Sequence, residues 1–519
     1  MVTGAAGAGA SATSIATVTP ADGQTVKARI RWEARASGDA PRKVEFLVDG
    51  NLVWTERNEP FVFGGNDARF DTRTFRDGRH VLSVRATGGD GSVVSSAVAV
   101  TFANGTAAAP RPSRRSAPRA KPGLVYVDAG SRGGTCRDAR TVAQAKSART
   151  PWCSLQRAAT AAPSGSTVVV RGGSYAELQI ENVHRRPHVT FRPFLSEQVA
   201  VAGIGTKNTS GLRFQGLRIT SYVDLGDYSD RIQLIGNDLS PHGIHMRRVN
   251  GVLIERNRIH DLAPKSSNGK CGCGIWGQSW KNENGVRNVV IRRNVITDLH
   301  GDGIHFGNGR NVVIEGNTIT NAIRIDDDHV DSIQIMGTHG LVIRGNYIGN
   351  NQHGLMFTDK ASPGVVIENN VIVKTSYGIN AGDIPDARIV NNTFWGNRWG
   401  AALIRDDARD APQPDGIVFK NNIIDETRHS DGGRFAEYGY NLVETGPLLA
   451  PTDRRGTARF VNPERGNFRL AAGSPGIDAG TSVRAPQRDR AGRPRRDDRT
   501  VRNRGGGSPN YYDIGAHER

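Results

Sequence analysis

Past residue 236 the chain alternates apolar and polar residues in short runs, and the runs recur. GVLIERNRI from Gly251, NVVIRRNVI from Asn288, NVVIEGNTI from Asn311, GLVIRGNYI from Gly340, GVVIENNVI from Gly364 and GIVFKNNII from Gly416 are one line repeated. Each is a period-two strand, then an asparagine, then a second short strand. The asparagine slot falls at Asn237, Asn257, Asn294, Asn317, Asn346, Asn370, Asn392 and Asn422, in steps of 20 to 37 residues. Strand repeats of that length with variable insertions predict a parallel β-helix, in which every coil pairs with the coils above and below. Stacked asparagines at one turn would satisfy backbone groups that the turn leaves open. PWCSLQRAATAAPSGSTVVV from Pro151 predicts an amphipathic helix that caps the first coil and covers an otherwise exposed sheet edge.

Residues 14–103 have a different pattern. KVEFLVDGNLVWTE alternates about Asp49-Gly50, and RHVLSVRATGGDGSVVSSAVAVTF about Gly88 to Gly91. Hairpins at this spacing predict a small β-sandwich. A Pro/Arg-rich linker follows at 104–124, then the β-helix at 125–480 and a basic closing tail at 481–519.

Charge changes the picture less than its size suggests. Of the net +17, the linker carries five charges and the stretch Arg484 to Arg504 six. Such segments solubilise or adhere, and no helix-turn-helix, zinc-finger or RNA-binding signature accompanies them, so nucleic acid is not the expected partner. No apolar run is long enough to span a membrane, and MVTGAAGAGASATS lacks the basic start and apolar block of a secretory signal. Cys136 and Cys153 flank a short loop before the cap helix, and a disulfide there would suit an oxidising compartment. Cys271 and Cys273 in KCGCG read as two small buried residues, because a bridge between i and i+2 is strained and a lone CxC is a weak metal signal.

A second line recurs between the asparagine strands: HGIHM from His242, CGIWG from Cys273, DGIHF from Asp302, DSIQI from Asp331, HGLMF from His353, YGINA from Tyr377 and WGAAL from Trp399. Aligned on Gly243, Gly274, Gly303, Ser332, Gly354, Gly378 and Gly400, the next residue is apolar and points inward. Alternation sends His245, Trp276, His305, Gln334, Met356, Asn380 and Ala402 outward. The leading residues, Asp302 and Asp331 among them, also face out. Coils stack about 4.8 Å apart, so these two aspartates stand one above the other. The run RIDDDHVD adds Asp326, Asp327 and Asp328 on the loop entering that coil. So much negative charge calls for compensation, and converging hard oxygens suit Ca²⁺. Read as a plain solvated loop, the same run would only cap a turn. Trp276, Tyr377 and Trp399, with His245, Gln334 and Asn380, are candidates to contact sugar in an extended groove.

The chain from about 125 to 519 resembles the right-handed parallel β-helix superfamily, through YVDAGSRGG, PWCSLQRAA, GSTVVVRGGSY and the closing NFRLAAGSPGIDAG and DIGAHE. Residues 14–103 resemble bacterial immunoglobulin-like domains. Asp302 in DGIHF followed by Asp327, Asp328 and Asp331 in DDHVD is similar to one class of calcium-dependent pectate lyases on this fold. That resemblance implies a calcium site of those four aspartates. It departs one coil later, where such lyases have a lysine base and this chain reads His353-Gly354-Leu355-Met356. The expectation is an extracellular or surface-borne monomer, a polysaccharide lyase for a uronate-containing glycan. Its base would be His353, ahead of His305 and Lys360, and His329 would orient a ligand or transfer a proton. The alternatives are an inverting hydrolase with two aspartates as acid and base, and a non-catalytic glycan-binding adhesin.

Overall fold

The computed structural model describes residues 14–519 except 39–40, 50, 57–58, 64–68, 76, 89–91, 105–122, 265–271, 279–284, 323–329, 383, 406–415 and 427–434. It divides into two compact units, Met1–Arg119 and Ala120–Arg519. The first is the predicted sandwich. Its five-stranded sheet runs Thr25–Val26, Val93–Phe102, Gly78–Thr87, Lys43–Val48, Asn51–Glu56, beside two smaller pairs. Trp32, Phe46, Phe70, Leu82 and Phe102 fill its core, with the Trp32 and Phe46 rings edge to face at 5.1 Å.

The second unit winds through three parallel sheets, two of 13 strands and one of 10, here called A, B and C in the order each coil visits them. Period-two alternation turns one apolar column of each sheet inward. In sheet A the column holds Ile254, Ile291, Ile314, Ile343, Ile367 and Ile389, in register coil after coil. Sheet C contributes Ile244, Ile275, Ile304, Ile333, Leu355 and Ile379. All twelve are fully buried, each worth about 1.5–3 kcal/mol relative to exposure. The predicted cap is the helix Leu155–Ala161. The Ser154 hydroxyl accepts from the Arg157 N–H at its start, and Leu155, Ala158 and Ala159 face the core. The Cys136–Cys153 disulfide pins the loop before it.

The asparagine slot forms a continuous hydrogen-bonded ladder. In Asn317, for example, the side-chain amide donates to the Ile291 carbonyl and to Asn346 Oδ1, while its own oxygen accepts from the backbone and side chain of Asn294. The pattern links all eight predicted asparagines and runs on through Asn441 to Asp453.

Two expectations need correction. Residues 481–519, read above as a basic closing tail whose charge solubilises or adheres, spend part of that charge within the fold. They pack on the last coils, where the turn residues Asn369, Asn391 and Asn421 donate to the carbonyls of Arg488, Asp513 and Thr481. Arg495 is buried against Glu518 at 2.9 Å and Asn369 at 3.0 Å, so an acid outside the arginine-rich stretch meets part of its charge, and within the stretch Arg493 pairs with Asp489. The other correction is a register shift at the end of sheet C. Ile379 pairs with Ala402 and Asn380 with Leu403, so Ala402, not Ala401, continues the inward column.

Candidate functional site

Sheet C places the outward residues as the alternation predicts. His245, Trp276, His305, Gln334, Met356 and Asn380 are register neighbours on six successive coils. The leading column brings Asp331 opposite His353, and the Asp331 N–H donates to Asp302 Oδ1 at 2.9 Å, which stacks the two carboxylates on adjacent coils. Glycine precedes most inward residues because the coils approach closely there. A Cβ on Gly354 would lie 2.3 Å from the Gly378 carbonyl oxygen.

The charge of the stacked aspartates meets two histidines. His305 Nδ1 lies 2.8 Å from Asp302 Oδ2, and His353 Nδ1 lies 2.8 Å from Asp331 Oδ1. Asp331 is fully buried and Asp302 nearly so, while both imidazoles keep an exposed edge. Burial pushes the Asp302 carboxyl above the ordinary carboxylate range. The His305 bond opposes this, and the Asp331 charge adds to the rise. His305 Nε2 is buried without a hydrogen-bond partner among the described residues. Each aspartate thus fixes its imidazole at Nδ1, which leaves Nε2 for proton exchange where it is reachable; at His305 that atom is enclosed.

Aromatic rings flank this centre. Trp276 stands one coil before His305, edge to face with His245 at 5.5 Å. On the other side the Tyr377 ring is 5.9 Å from His353 and stacks on Trp399 at 6.4 Å. The alternation pattern missed Tyr222, which stacks on His242 at 4.1 Å. A tyrosine takes the place of glycine before the inward Val223, so the motif breaks there.

Other candidates fall elsewhere. Lys360 is exposed beyond the end of the strand His353–Phe357, with its ammonium 3.3 Å from Asn308 Oδ1, so it does not join the aspartate–histidine pairs. Asp326, Asp327, Asp328 and His329 lie outside the described residues. Cys273 is buried within 4.8 Å of Asp302 and His305. It is disulfide-bonded, which corrects its reading as a plain small core residue and denies the site a thiolate. Its companion Cys271 lies outside the described residues. Asp302 and Asp331 are stacked, buried carboxylates, the kind of oxygen donor a hard cation takes, and the rise at Asp302 comes first from its burial.

Residues 202–394 and 273–446 match the family described as right handed beta helix region, and residues 14–84 match the bacterial Ig domain family. Among solved structures, the chain is similar to pectate lyase Pel9A, at 13% identity over 76% of this chain and 96% of that one, with a TM-score of 0.38. It is also similar to an alginate lyase from Paenibacillus sp., at 15% identity over 55% and 95% with a TM-score of 0.35. A third likeness is to the Streptococcus pneumoniae surface protein and adhesin PfbA, at 10% identity over 54% and 92% with a TM-score of 0.36. No curated protein is similar enough in sequence to stand as a relative. Three parallel sheets wound in coils, the ladder through their turn and the two family matches make the chain a right-handed parallel β-helix protein with an N-terminal bacterial Ig-like domain.

Proposed function

We propose that the protein is an extracellular lyase that cleaves a uronate-containing polysaccharide by β-elimination on the outer face of sheet C. One observation carries this reading: the buried Asp331 holds His353 by Nδ1 on a face flanked by aromatic rings. In that tautomer Nε2 bears the lone pair and can take the C5 proton of a uronate. The C5–H electrons form the C4–C5 double bond, the C4–O4 bond breaks, and the leaving oxygen needs a proton. The proton that His353 Nε2 has taken from C5 can be returned to that oxygen, which balances the step, while His305, tied to Asp302 one coil earlier, lines the same face. The net charge of +17 favours a polyanionic substrate by long-range attraction.

Asp302 and Asp331 would help hold a cation such as Ca²⁺, which when bound would neutralise the substrate's C6 carboxylate. Inverting hydrolysis is less well supported, because carboxylates on adjacent coils stand about 4.8 Å apart in backbone spacing and inversion prefers roughly 6.5–9.5 Å.

Purified protein incubated with pectate, alginate and glycosaminoglycans, with and without Ca²⁺, tests this. An unsaturated uronate product is expected. A new reducing end without unsaturation would sink elimination, and no turnover on any of them would leave only binding. Added Ca²⁺ should raise the melting temperature and chelator lower it. No response to either would mean that the histidines balance the aspartates alone.

A further inference from the structure

At the C-terminal end of the β-helix, beyond the last coil of sheet C, an open cavity of about 450 Å³ is lined by Tyr440, Asp453, Arg454, Arg455 and Arg504 among others. Cavities of roughly 300–1,000 Å³ are the size that small ligands occupy. Its charge is unbalanced. Asp453 is the lining carboxylate, and its oxygens are already taken: Oδ1 accepts from the backbone and side chain of Asn441, Oδ2 from the N–H groups of Leu449 and Ala450. Arg455 is tied to the carbonyls of Glu444 and Gly446. The guanidinium groups of Arg454 and Arg504 have no hydrogen-bond or ion-pair partner among the described residues, yet only their backbones serve the fold: the Arg454 N–H donates to Asn441 O, the Arg504 N–H to Asp478 O.

The two guanidiniums are near enough to repel. Burial and the charge of Arg504 together lower the Arg454 pKa. Arg292, Arg344 and Arg388 on sheet A each have an acid within bonding distance, whereas Arg454 and Arg504 in this cavity have none among the described residues and leave its charge open to an anion. Paired guanidinium forks match a carboxylate or sulfate. Beside them is Tyr440, packed so closely to the chain that a Cβ on Gly506 would fall 2.3 Å from its hydroxyl. A fixed phenol ring offers a face to the apolar side of a pyranose.

We infer that this cavity is a second, non-catalytic binding site for one acidic sugar residue of a polyanionic glycan, with Arg454 and Arg504 on its acid group and Tyr440 against its ring. It would let the protein hold a long chain at a point remote from sheet C, and it stands whether or not sheet C performs elimination.

Hydrogen exchange of the full chain carrying His353→Ala, which stops turnover on the proposed mechanism, tests it with trigalacturonate, glucose trisaccharide and inorganic sulfate as probes. Trigalacturonate should slow exchange around 440–455 and 501–506 and the neutral trisaccharide should not. Adding Arg454→Gln and Arg504→Gln should weaken that protection at least tenfold in ligand concentration, with any protection around 302–357 unchanged. Without ligand this variant should melt no lower than its parent, since a repulsion is removed; a clear fall would mark the arginines as structural and overturn the inference. So would protection that survives both substitutions, or protection by sulfate equal to that by trigalacturonate, which would mean a site for free anions.

Discussion

Sheets A and C are built from the same coils, yet they handle charge in opposite ways. On sheet A one outward column reads Glu255, Arg292, Glu315, Arg344, Glu368, in register. Its sign alternates, and bonds of 3.1 and 3.0 Å join Arg292 to Glu255 and Arg344 to Glu315. On sheet C two aspartates follow each other, buried, with imidazoles in place of arginines. Alternation is what a β-helix face does when only stability is at stake, because like charges stacked on neighbouring strands cost energy. An arrangement that keeps like charges together and sets imidazoles, which can both take and give a proton, against them is suited to moving protons.

The largest expected effect breaks that contrast directly. His353→Ala should lower turnover by about 10²–10⁴-fold, the usual scale of a lost general base, and should also lower the melting temperature, because it removes the imidazole that pairs with the buried Asp331 carboxylate. Glu315→Gln on sheet A should leave turnover within about twofold and act only on stability, by well under ~1 kcal/mol since the pair is exposed. Steady-state kinetics and thermal melts of both variants decide it. Equal loss of activity in the two would erase the distinction between the faces.

Inside the same coils the asparagine ladder is a third column, and there structure alone is at stake. Asn317→Ala removes one amide that serves the coils on either side and leaves buried donors and acceptors unmet. The expected cost is about 3 kcal/mol, read by denaturant unfolding, with turnover of the surviving folded protein unchanged. A loss below about 1 kcal/mol would mean that the ladder relaxes or takes up water.

How far each column was legible follows from its chemistry. The ladder was, since one residue type recurs at one slot and can bond only to its own kind above and below. The stacking of Asp302 on Asp331 was too, because a small residue and then an apolar one frame each strand. The partner of that charge was not. Sequence spacing puts His305 and His353 on the right face, but whether an imidazole turns toward a carboxylate or away is a matter of rotamer, and the run RIDDDHVD drew attention to calcium. Trp399-Gly400-Ala401-Ala402 misled by one position because two neighbouring alanines fit the inward slot equally well. The closing segment misled for another reason: local charge counts do not see acids such as Glu518 that meet Arg495 only after folding.

A like charge placed on sheet A should show what sheet C needs its histidines for. Arg344→Glu would set three acids in succession with Glu315 and Glu368 and no imidazole beside them. The expected cost is about 1 kcal/mol at low salt, shrinking as ionic strength rises because the column is partly exposed. Melting curves at two salt concentrations measure it, and a salt-independent cost would point to lost packing of the arginine stem.

The smallest effect concerns proton binding at Asp302 itself. Burial, with the Asp331 charge behind it, raises this carboxyl above its unfolded value, which is near 3.9. Folding then favours its protonated form, so its contribution to stability is complete below the unfolded value and is lost as pH rises through the folded one. Asp302→Asn cannot titrate. The melting temperature of the natural protein minus that of the variant should therefore decline as pH rises from about 4, and level off once the carboxyl has ionised in the fold. A difference that grows with pH would carry the opposite sign. It would mean that the Asp302 anion is stabilised in the fold, by its imidazole or by a bound cation, and the two faces would then differ in the partners of their acids rather than in whether those acids are balanced.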